Sequence, residues 1–85
     1  MQIFYATKFI RQYRKLPDEL KLVVQEKESV FRISPFDARL RTHKLSGRLS
    51  GFYAFWIKYK IRIILKFENN EAVRFHEVGD HNIYD

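Results

Sequence analysis

The pattern of apolar positions changes from strand-like to helical and back along the chain. Residues Gln2 to Tyr5 alternate at period two and predict a short strand. Apolar residues then recur at helical spacing in two segments, Phe9 to Leu16 and Leu20 to Phe31. Pro17 separates the two helices, and Ser34-Pro35 ends the second because a residue that precedes proline avoids the helical region. The first 34 residues therefore predict a strand followed by a helical hairpin.

The second half of the chain has the pattern of β-strands. An aromatic-rich stretch from Leu49 to Ile57 precedes two alternating segments, 61–67 and 73–76, and Asn69-Asn70 between them is a turn signal. A slip of one residue turns every side chain to the other face, so only an odd-length loop or a bulge keeps the apolar partners together. This register makes four pairs: Phe67 with Val73, Lys66 with Arg74, Leu65 with Phe75, and Ile64 with His76.

The same register places cationic side chains together on the face opposite the core, namely Arg62, Lys66, Arg74 and His76. Like charges directly opposite each other, such as Lys66 and Arg74, destabilise a sheet. Either an anionic partner offsets this repulsion, or both side chains spread into water.

Length and composition limit the class of protein. Eighty-five residues allow one small domain, residues 1–85, and 46% apolar residues with 16% aromatic ones are enough for a core. The absence of cysteine excludes a disulfide framework, a thiolate zinc site and cysteine catalysis. No apolar run has the roughly 20 residues of a membrane helix, and the N-terminus lacks the layout of a secretory signal. We therefore expect a cytoplasmic protein with no membrane partner.

The positive charge is concentrated in the middle of the chain. The net charge is +6, and the segment 32–66 carries nine basic residues and one acidic residue, Asp37. Such a segment predicts binding to a polyanion, of which nucleic acid is the commonest. The alternative is a solvated basic face that keeps the protein soluble.

Two candidate catalytic residues lie in this basic segment. His43 follows Arg41 and precedes Lys44 and Arg48, so a phosphate held there would lie beside an imidazole able to exchange a proton near neutral pH. The alternative is a surface histidine in a basic loop. Arg62 lies on a predicted central strand, where a planar guanidinium is suited to hold a phosphate. The alternative is an ordinary outward-facing charge.

The C-terminal sequence GDHNIYD contains two further candidates, His81 and Tyr84. This pair suits RNA, because an aromatic ring stacks on an unpaired base while an imidazole acts at the adjacent phosphate. A packed C-terminal turn explains the pair equally well. The three histidines lack the spacing of metal ligands, so we expect no metal and no cofactor.

Four segments in order resemble the RelE/ParE superfamily of toxin–antitoxin toxins, and within it the RelE, YoeB and YafQ type of mRNA interferase. They are the N-terminal strand with its helical hairpin, SPFDARLRTHKLSGRLSGFYAF, IKYKIRIILKF and VGDHNIYD. The resemblance implies an α+β fold in which a small, four-stranded antiparallel sheet is backed by two N-terminal helices, as in microbial ribonucleases. It also implies metal-independent cleavage of mRNA in the ribosomal A site.

The resemblance places Arg62 on the family's strand arginine, His81 on the C-terminal catalytic histidine, and Tyr84 near the aromatic residue that contacts the substrate base. His43 falls where relatives carry a Glu or His that acts as general base or RNA contact. We hypothesise that His43 is the base, His81 the acid and Arg62 the stabiliser of the charged phosphate. The expected contacts to the RNA backbone are Arg41, Lys44, Arg48, Lys58 and Lys60.

The resemblance implies several partners. They are the 70S ribosome with mRNA in its A site, and an acidic antitoxin that neutralises the toxin and co-represses on operator DNA. Three alternatives remain open: a ParE-type gyrase poison, a non-catalytic nucleic-acid-binding module, and an inactivated toxin that binds only antitoxin and operator.

Overall fold

The computed structural model describes residues 1–80, which form two helices and one sheet. The helices are α1 (Thr7–Arg14) and α2 (Asp18–Ile33). The strands are β1 (Gln2–Tyr5), β2 (His43–Lys44), β3 (Tyr53–Lys58), β4 (Ile61–Asn69) and β5 (Ala72–Gly79). Two single 3-10 turns, Ala38–Leu40 and Gly47–Leu49, flank β2. The predicted strand, helical hairpin and β-rich second half are confirmed.

The sheet has the strand order β1-β5-β4-β3-β2. The prediction of four antiparallel strands is wrong in two respects, because the sheet has five strands and β1 runs parallel to β5. The additional strand, β2, is only two residues long and carries no alternation that a sequence pattern would show. The direction of β1 is set by the helices that follow it, since they carry the chain across the sheet before the antiparallel strands begin.

The predicted register of β4 and β5 is confirmed at three pairs: Phe67 with Val73, Lys66 with Arg74, and Leu65 with Phe75. The fourth predicted pair is wrong, because a bulge shifts the register and Ile64 lies opposite Glu77 instead of His76. A second irregularity beside the turn skips Glu68, and this agrees with the predicted need for a bulge. The bulges keep the apolar side chains of the hairpin on one face.

The core lies between the two helices and one face of the sheet. Phe31 of α2 is fully buried and its ring centroid lies 4.8 Å from Phe55 and 5.4 Å from Phe75. Phe9 of α1 is also buried and lies 5.6 Å from Phe75. Burying each of these rings contributes about 1.5–3 kcal/mol. The helices therefore cover one face of the sheet and leave the other to carry the site. No helix among residues 1–80 is long and apolar enough to span a membrane.

Candidate active site

Three of the residues that define the candidate site share the sheet face opposite the helices. Trp56 and Arg62 are partners across β3 and β4, and His43 is the partner of Ala54 on β3. Partners in a sheet point to the same face, as do residues two apart on one strand, so His43, Trp56 and Arg62 lie on one side. Strand spacing and rise place the Cα atoms of His43 and Arg62 about 12 Å apart. A phosphodiester fits between side chains that reach inward from these two positions.

The imidazole of His43 is exposed and has a defined orientation. Its Nδ1 lies 2.9 Å from the carbonyl oxygen of Arg41. A carbonyl only accepts hydrogen bonds, so Nδ1 is the donor in this contact. The neutral imidazole then presents the lone pair of Nε2 to solvent. His43 is thus arranged as a proton acceptor on the exposed side of β2.

The segment that carries His43 is anchored on Trp56. Arg41 adopts a left-handed backbone conformation (φ 53°), and its guanidinium carbon lies 4.6 Å from the centroid of the Trp56 ring. The ammonium of Lys27 on α2 lies 5.2 Å from the same ring, so the indole reaches round the edge of β3, which β2 covers only at Tyr53 and Ala54. The indole Nε1–H donates to the carbonyl of Tyr59 at 2.7 Å, which ties the ring to the turn that follows β3. Trp56 therefore holds Arg41, and Arg41 in turn orients His43.

The guanidinium of Arg62 is half-buried near the start of the central strand, β4. Its Nη1 donates to the carbonyl of Lys60 at 3.1 Å. A guanidinium has five N–H donors, and within residues 1–80 this is the hydrogen bond that its side chain makes, so four donors are not used by the described part of the chain. Across the sheet, Arg62 pairs with Gly79, which has no side chain to cover it. The remaining donors are suited to charge-assisted hydrogen bonds with an anion.

The other predicted RNA contacts lie around this face at different positions. Lys58 ends β3, and its Nζ lies 5.1 Å from the ring of Tyr59, while Lys60 lies in the turn that follows. Lys44 is the partner of Tyr53, so it points to the helix side of the sheet, away from His43. Arg48 lies exposed on a 3-10 turn. Arg41 contacts the site because its guanidinium stacks on Trp56. Lys60 contacts the site through its backbone carbonyl, which accepts a hydrogen bond from Arg62.

His81 and Tyr84 lie outside the described residues. The described chain reaches Asp80 directly after Gly79, the strand partner of Arg62. Within residues 1–80, no group of three histidine, aspartate or glutamate side chains is placed to hold a metal ion.

Sequence reasoning gave no functional role to Trp56 or Phe52. The available signal for Trp56 was a single tryptophan on a predicted strand, two residues before Lys58, which is also typical of an ordinary core position. Phe52 contacts Lys66 and His76: the Lys66 ammonium lies 5.3 Å from its ring centroid, and the imidazole of His76 packs edge-on at 5.1 Å. These contacts depend on the register with which β3, β4 and β5 pair, which the local pattern of apolar residues does not show.

The predicted repulsion between Lys66 and Arg74 is partly relieved inside the protein. The two residues are cross-strand partners, and Arg74 Nε lies 2.9 Å from a carboxylate oxygen of Glu68. The Arg74 guanidinium also lies 5.3 Å from the Phe4 ring.

Burial is the main cause that lowers the pKa of His76 below its usual value, and the nearby charge of Arg74 lowers it further. Burial and Arg74 therefore favour the neutral form of the His76 imidazole.

Comparisons with known proteins give no sequence-level match but several structural ones. No known protein-family profile matches the chain, and no curated protein sequence matches it. Its structure is similar to a YoeB/ParE toxin from Agrobacterium tumefaciens, with TM-score 0.81, 12% identity, and coverage of 95% of this chain and 99% of that one. It is similar to YafQ from E. coli, with TM-score 0.72, 18% identity, and coverage of 98% and 96%.

A third similar structure is the toxin–antitoxin complex RelBE2 from Mycobacterium tuberculosis, with TM-score 0.70, 19% identity, and coverage of 94% of this chain and 96% of that one. The likeness extends over nearly the whole length in each case, so the shared fold spans the whole domain. Identities below 20% establish the fold and leave the chemistry to be argued from the site. The resemblance found in the sequence is thus confirmed for the architecture: the chain has the fold of the YoeB, YafQ and RelE toxins.

Proposed function

We propose that this chain is the toxin of a type II toxin–antitoxin system and that it cleaves mRNA in the ribosomal A site. The observation that carries the proposal is the placement of His43 and Arg62 on one sheet face, with Nε2 of His43 available as a base. The fold shared with YoeB, YafQ and RelE toxins supports the same conclusion.

The proposed reaction uses the 2′-hydroxyl of the RNA as nucleophile. His43 takes the proton of that hydroxyl, the 2′-oxygen bonds to phosphorus, and the bond to the 5′-oxygen breaks. His81 protonates the departing 5′-oxygen, which yields a cyclic phosphate end and a 5′-hydroxyl end. Arg62 donates to the phosphate oxygens where negative charge develops. No metal takes part in this scheme.

The connectivity of the chain supports the role of His81. Gly79 is paired with Arg62, and two further residues of chain span at most about 7 Å. A histidine at position 81 is therefore within reach of a phosphate held by Arg62. Tyr84, three residues further on, stacks on or orients the substrate base in this proposal.

The surrounding cations supply the affinity for RNA. Arg41, Arg48, Lys58 and Lys60 bind the backbone of messenger or ribosomal RNA in this proposal, and Lys44, which points to the helix side of the sheet, binds ribosomal RNA. The net charge of +6 supports long-range attraction of a polyanion. Binding of this kind weakens steeply with salt.

The proposed protein partner is an acidic antitoxin. The relative from Mycobacterium tuberculosis is a toxin–antitoxin complex, and a YoeB–YefM complex from Staphylococcus aureus has a similar fold with TM-score 0.77. On this chain a groove of about 330 Å³ between α1 and α2 is lined by Tyr5, Phe9, Ile10, Tyr13 and Val24, among others. An apolar segment of the antitoxin docks there in this proposal, and its acidic residues meet the cationic face.

The test is induced expression of the wild type and of His81→Ala, with growth measured and 5′ ends of mRNA mapped. General acid–base groups contribute about 10²–10⁴-fold each, so His81→Ala and His43→Ala each abolish most cleavage. Arg62→Ala has the same direction of effect, and Arg11→Ala is its matched control, because Arg11 is exposed on α1. Wild-type cleavage by both histidine variants would refute the roles assigned here.

A gyrase supercoiling assay and an RNA-binding assay, run beside the 5′-end mapping, separate the alternative functions. A gyrase poison inhibits supercoiling in a purified gyrase assay and leaves ribosome-bound mRNA intact. A non-catalytic binding module binds RNA with strong salt dependence and produces no new 5′ ends. An inactivated toxin does neither and still binds its antitoxin.

A further inference from the structure

The sheet face that carries His43 and Arg62 has a second cationic position further along β4. Lys66 and Arg62 are four residues apart on this strand, so their side chains point to the same face and their Cα atoms are about 13 Å apart. Between them lies Ile64, which is 1% exposed. The Lys66 ammonium lies against the ring of Phe52, so Lys66 and Arg62 provide two contact points at different positions along β4.

Lys66 differs from its cross-strand partner Arg74 in that it has no counter-ion among residues 1–80. Arg74 is matched by Glu68 at 2.9 Å, whereas no carboxylate of residues 1–80 lies within 4.0 Å of the Lys66 ammonium. Lys66 is also exposed, so its ammonium is accessible to a ligand. It is a cation that faces another cation across the ladder without a counter-ion in the described part of the chain.

The surroundings hold this ammonium in a defined place. It lies 5.3 Å from the ring centroid of Phe52, and Phe52 packs at 5.1 Å against His76. A cation that rests on an aromatic ring keeps its donors directed away from the ring. The partly buried rings of Phe52 and His76 therefore form a wall on one side of Lys66.

We propose that Lys66, supported by Phe52, is a second phosphate-binding subsite for single-stranded RNA, displaced along β4 from the phosphate at Arg62. This inference rests on the proposed function, since it takes RNA as the ligand of this face. An RNA strand that lies along β4 then contacts Arg62 at the scissile linkage and Lys66 at a different nucleotide. The subsite binds the backbone and is therefore indifferent to base identity.

An acidic protein segment is the other class of ligand that would suit an unpaired lysine. The observations favour RNA for two reasons. Lys66 shares a strand and a face with Arg62, and the two cations are spaced for successive contacts along a single extended polyanion. The groove suited to an apolar protein segment lies between α1 and α2, on the other side of the sheet.

The experiment measures the affinity of a labelled single-stranded RNA for purified protein over a series of salt concentrations. All proteins carry His43→Ala, so that the RNA is not cleaved. The variant Lys66→Gln removes the proposed contact, and Lys66→Arg keeps the charge. Lys15→Gln is the matched control, because Lys15 is an exposed lysine at the end of α1.

Loss of one phosphate contact reduces the slope of log K against log salt by about 0.7, which at 0.1 M salt corresponds to a loss of about 5-fold in affinity. Lys66→Gln is expected to show both changes, Lys66→Arg to restore them, and Lys15→Gln to leave the slope at the wild-type value. A Lys66→Gln slope equal to that of Lys15→Gln overturns the subsite. An absence of RNA binding by the His43→Ala protein overturns it as well.

Two further results separate this inference from the proposed function. If mRNA cleavage by the wild type is confirmed while Lys66→Gln behaves like the control, the subsite is wrong and the function stands. If the wild type never cleaves mRNA but Lys66→Gln shows the reduced slope of log K against log salt, the subsite stands and the catalytic proposal is wrong. A Lys66→Gln protein that loses affinity for a poly-glutamate peptide and not for RNA assigns Lys66 to a protein partner and overturns the subsite.

Discussion

The Nδ1 atom of His43 lies 2.9 Å from the backbone carbonyl oxygen of Arg41, two residues earlier in the chain. This single contact decides which nitrogen of the imidazole is available for chemistry. It depends on the left-handed conformation of Arg41, which a residue with a side chain rarely adopts without support. Two contacts accompany this conformation: the backbone N–H of Arg41 donates to the carbonyl of Ala38 at the end of the 3-10 turn, and the Arg41 guanidinium stacks on Trp56.

Trp56→Ala is expected to free the Arg41 segment and weaken the orientation of His43. The lost stacking is worth about 0.5–1 kcal/mol at an exposed site, so cleavage falls by a few-fold, much less than in His43→Ala. Nitrogen chemical shifts of the imidazole report the tautomer directly. In the wild type they show the hydrogen on Nδ1, and in Trp56→Ala they move toward a mixture.

Trp56→Phe is the conservative control for this prediction, because it keeps an aromatic face for Arg41. It is expected to restore most of the cleavage rate and the tautomer signal. A purely structural role for Trp56 would lower the melting temperature in both variants and leave the His43 shifts unchanged. Unchanged shifts in Trp56→Ala would thus contradict the positioning role.

Phe31→Ala is expected to reduce the free energy of unfolding by about 3–5 kcal/mol, because Phe31 is fully buried against two rings of the sheet. The measurement is urea denaturation followed by circular dichroism. Leu22→Ala on the same helix is the control, since Leu22 is 65% exposed and its loss changes stability by less than about 0.5 kcal/mol. Equal effects of the two substitutions would mean that α2 does not pack on the sheet as described.

The lowered pKa of His76 makes the stability of the protein depend on pH. The unfolded chain binds a proton at this residue near pH 6.5, whereas the folded protein resists protonation because of burial, Arg74 and Lys66, despite Glu68 and Glu77 nearby. As pH falls below about 6.5, the unfolded state binds more protons and the folded state loses relative stability. The stability contributed by the neutral imidazole is complete above this pH.

His76→Gln removes that titration and is the comparison for the wild type. The difference between the two free energies of unfolding is expected to be constant above pH 7 and to shift in favour of His76→Gln between pH 6.5 and pH 5. The measurement is chemical denaturation at fixed salt across this range. A difference that stays constant down to pH 5 would show that folding does not change the pKa of His76.

Much of the architecture was readable from local patterns. The helical hairpin followed from the spacing of apolar residues and from Pro17 and Ser34-Pro35, and the three confirmed pairs of the hairpin followed from the need to keep Leu65 and Phe67 on the core face. The resemblance of ordered segments to known toxins anticipated the fold as well. The proposed roles of His81 and Tyr84 depend on the sequence and remain predictions.

The tertiary structure decided the features that join distant segments. The parallel pairing of β1 with β5, the two-residue strand that places His43, and the bulge that moves His76 out of its predicted pair all arise from contacts between residues far apart in the chain. The contacts of Trp56 with Arg41 and of Phe52 with Lys66 have the same origin. By itself, the sequence determined the periodicity of each element and the chemical types available, because both are local properties. Only folding decided which side chains share a face, because that depends on the pairing of strands and the packing of helices over the whole chain.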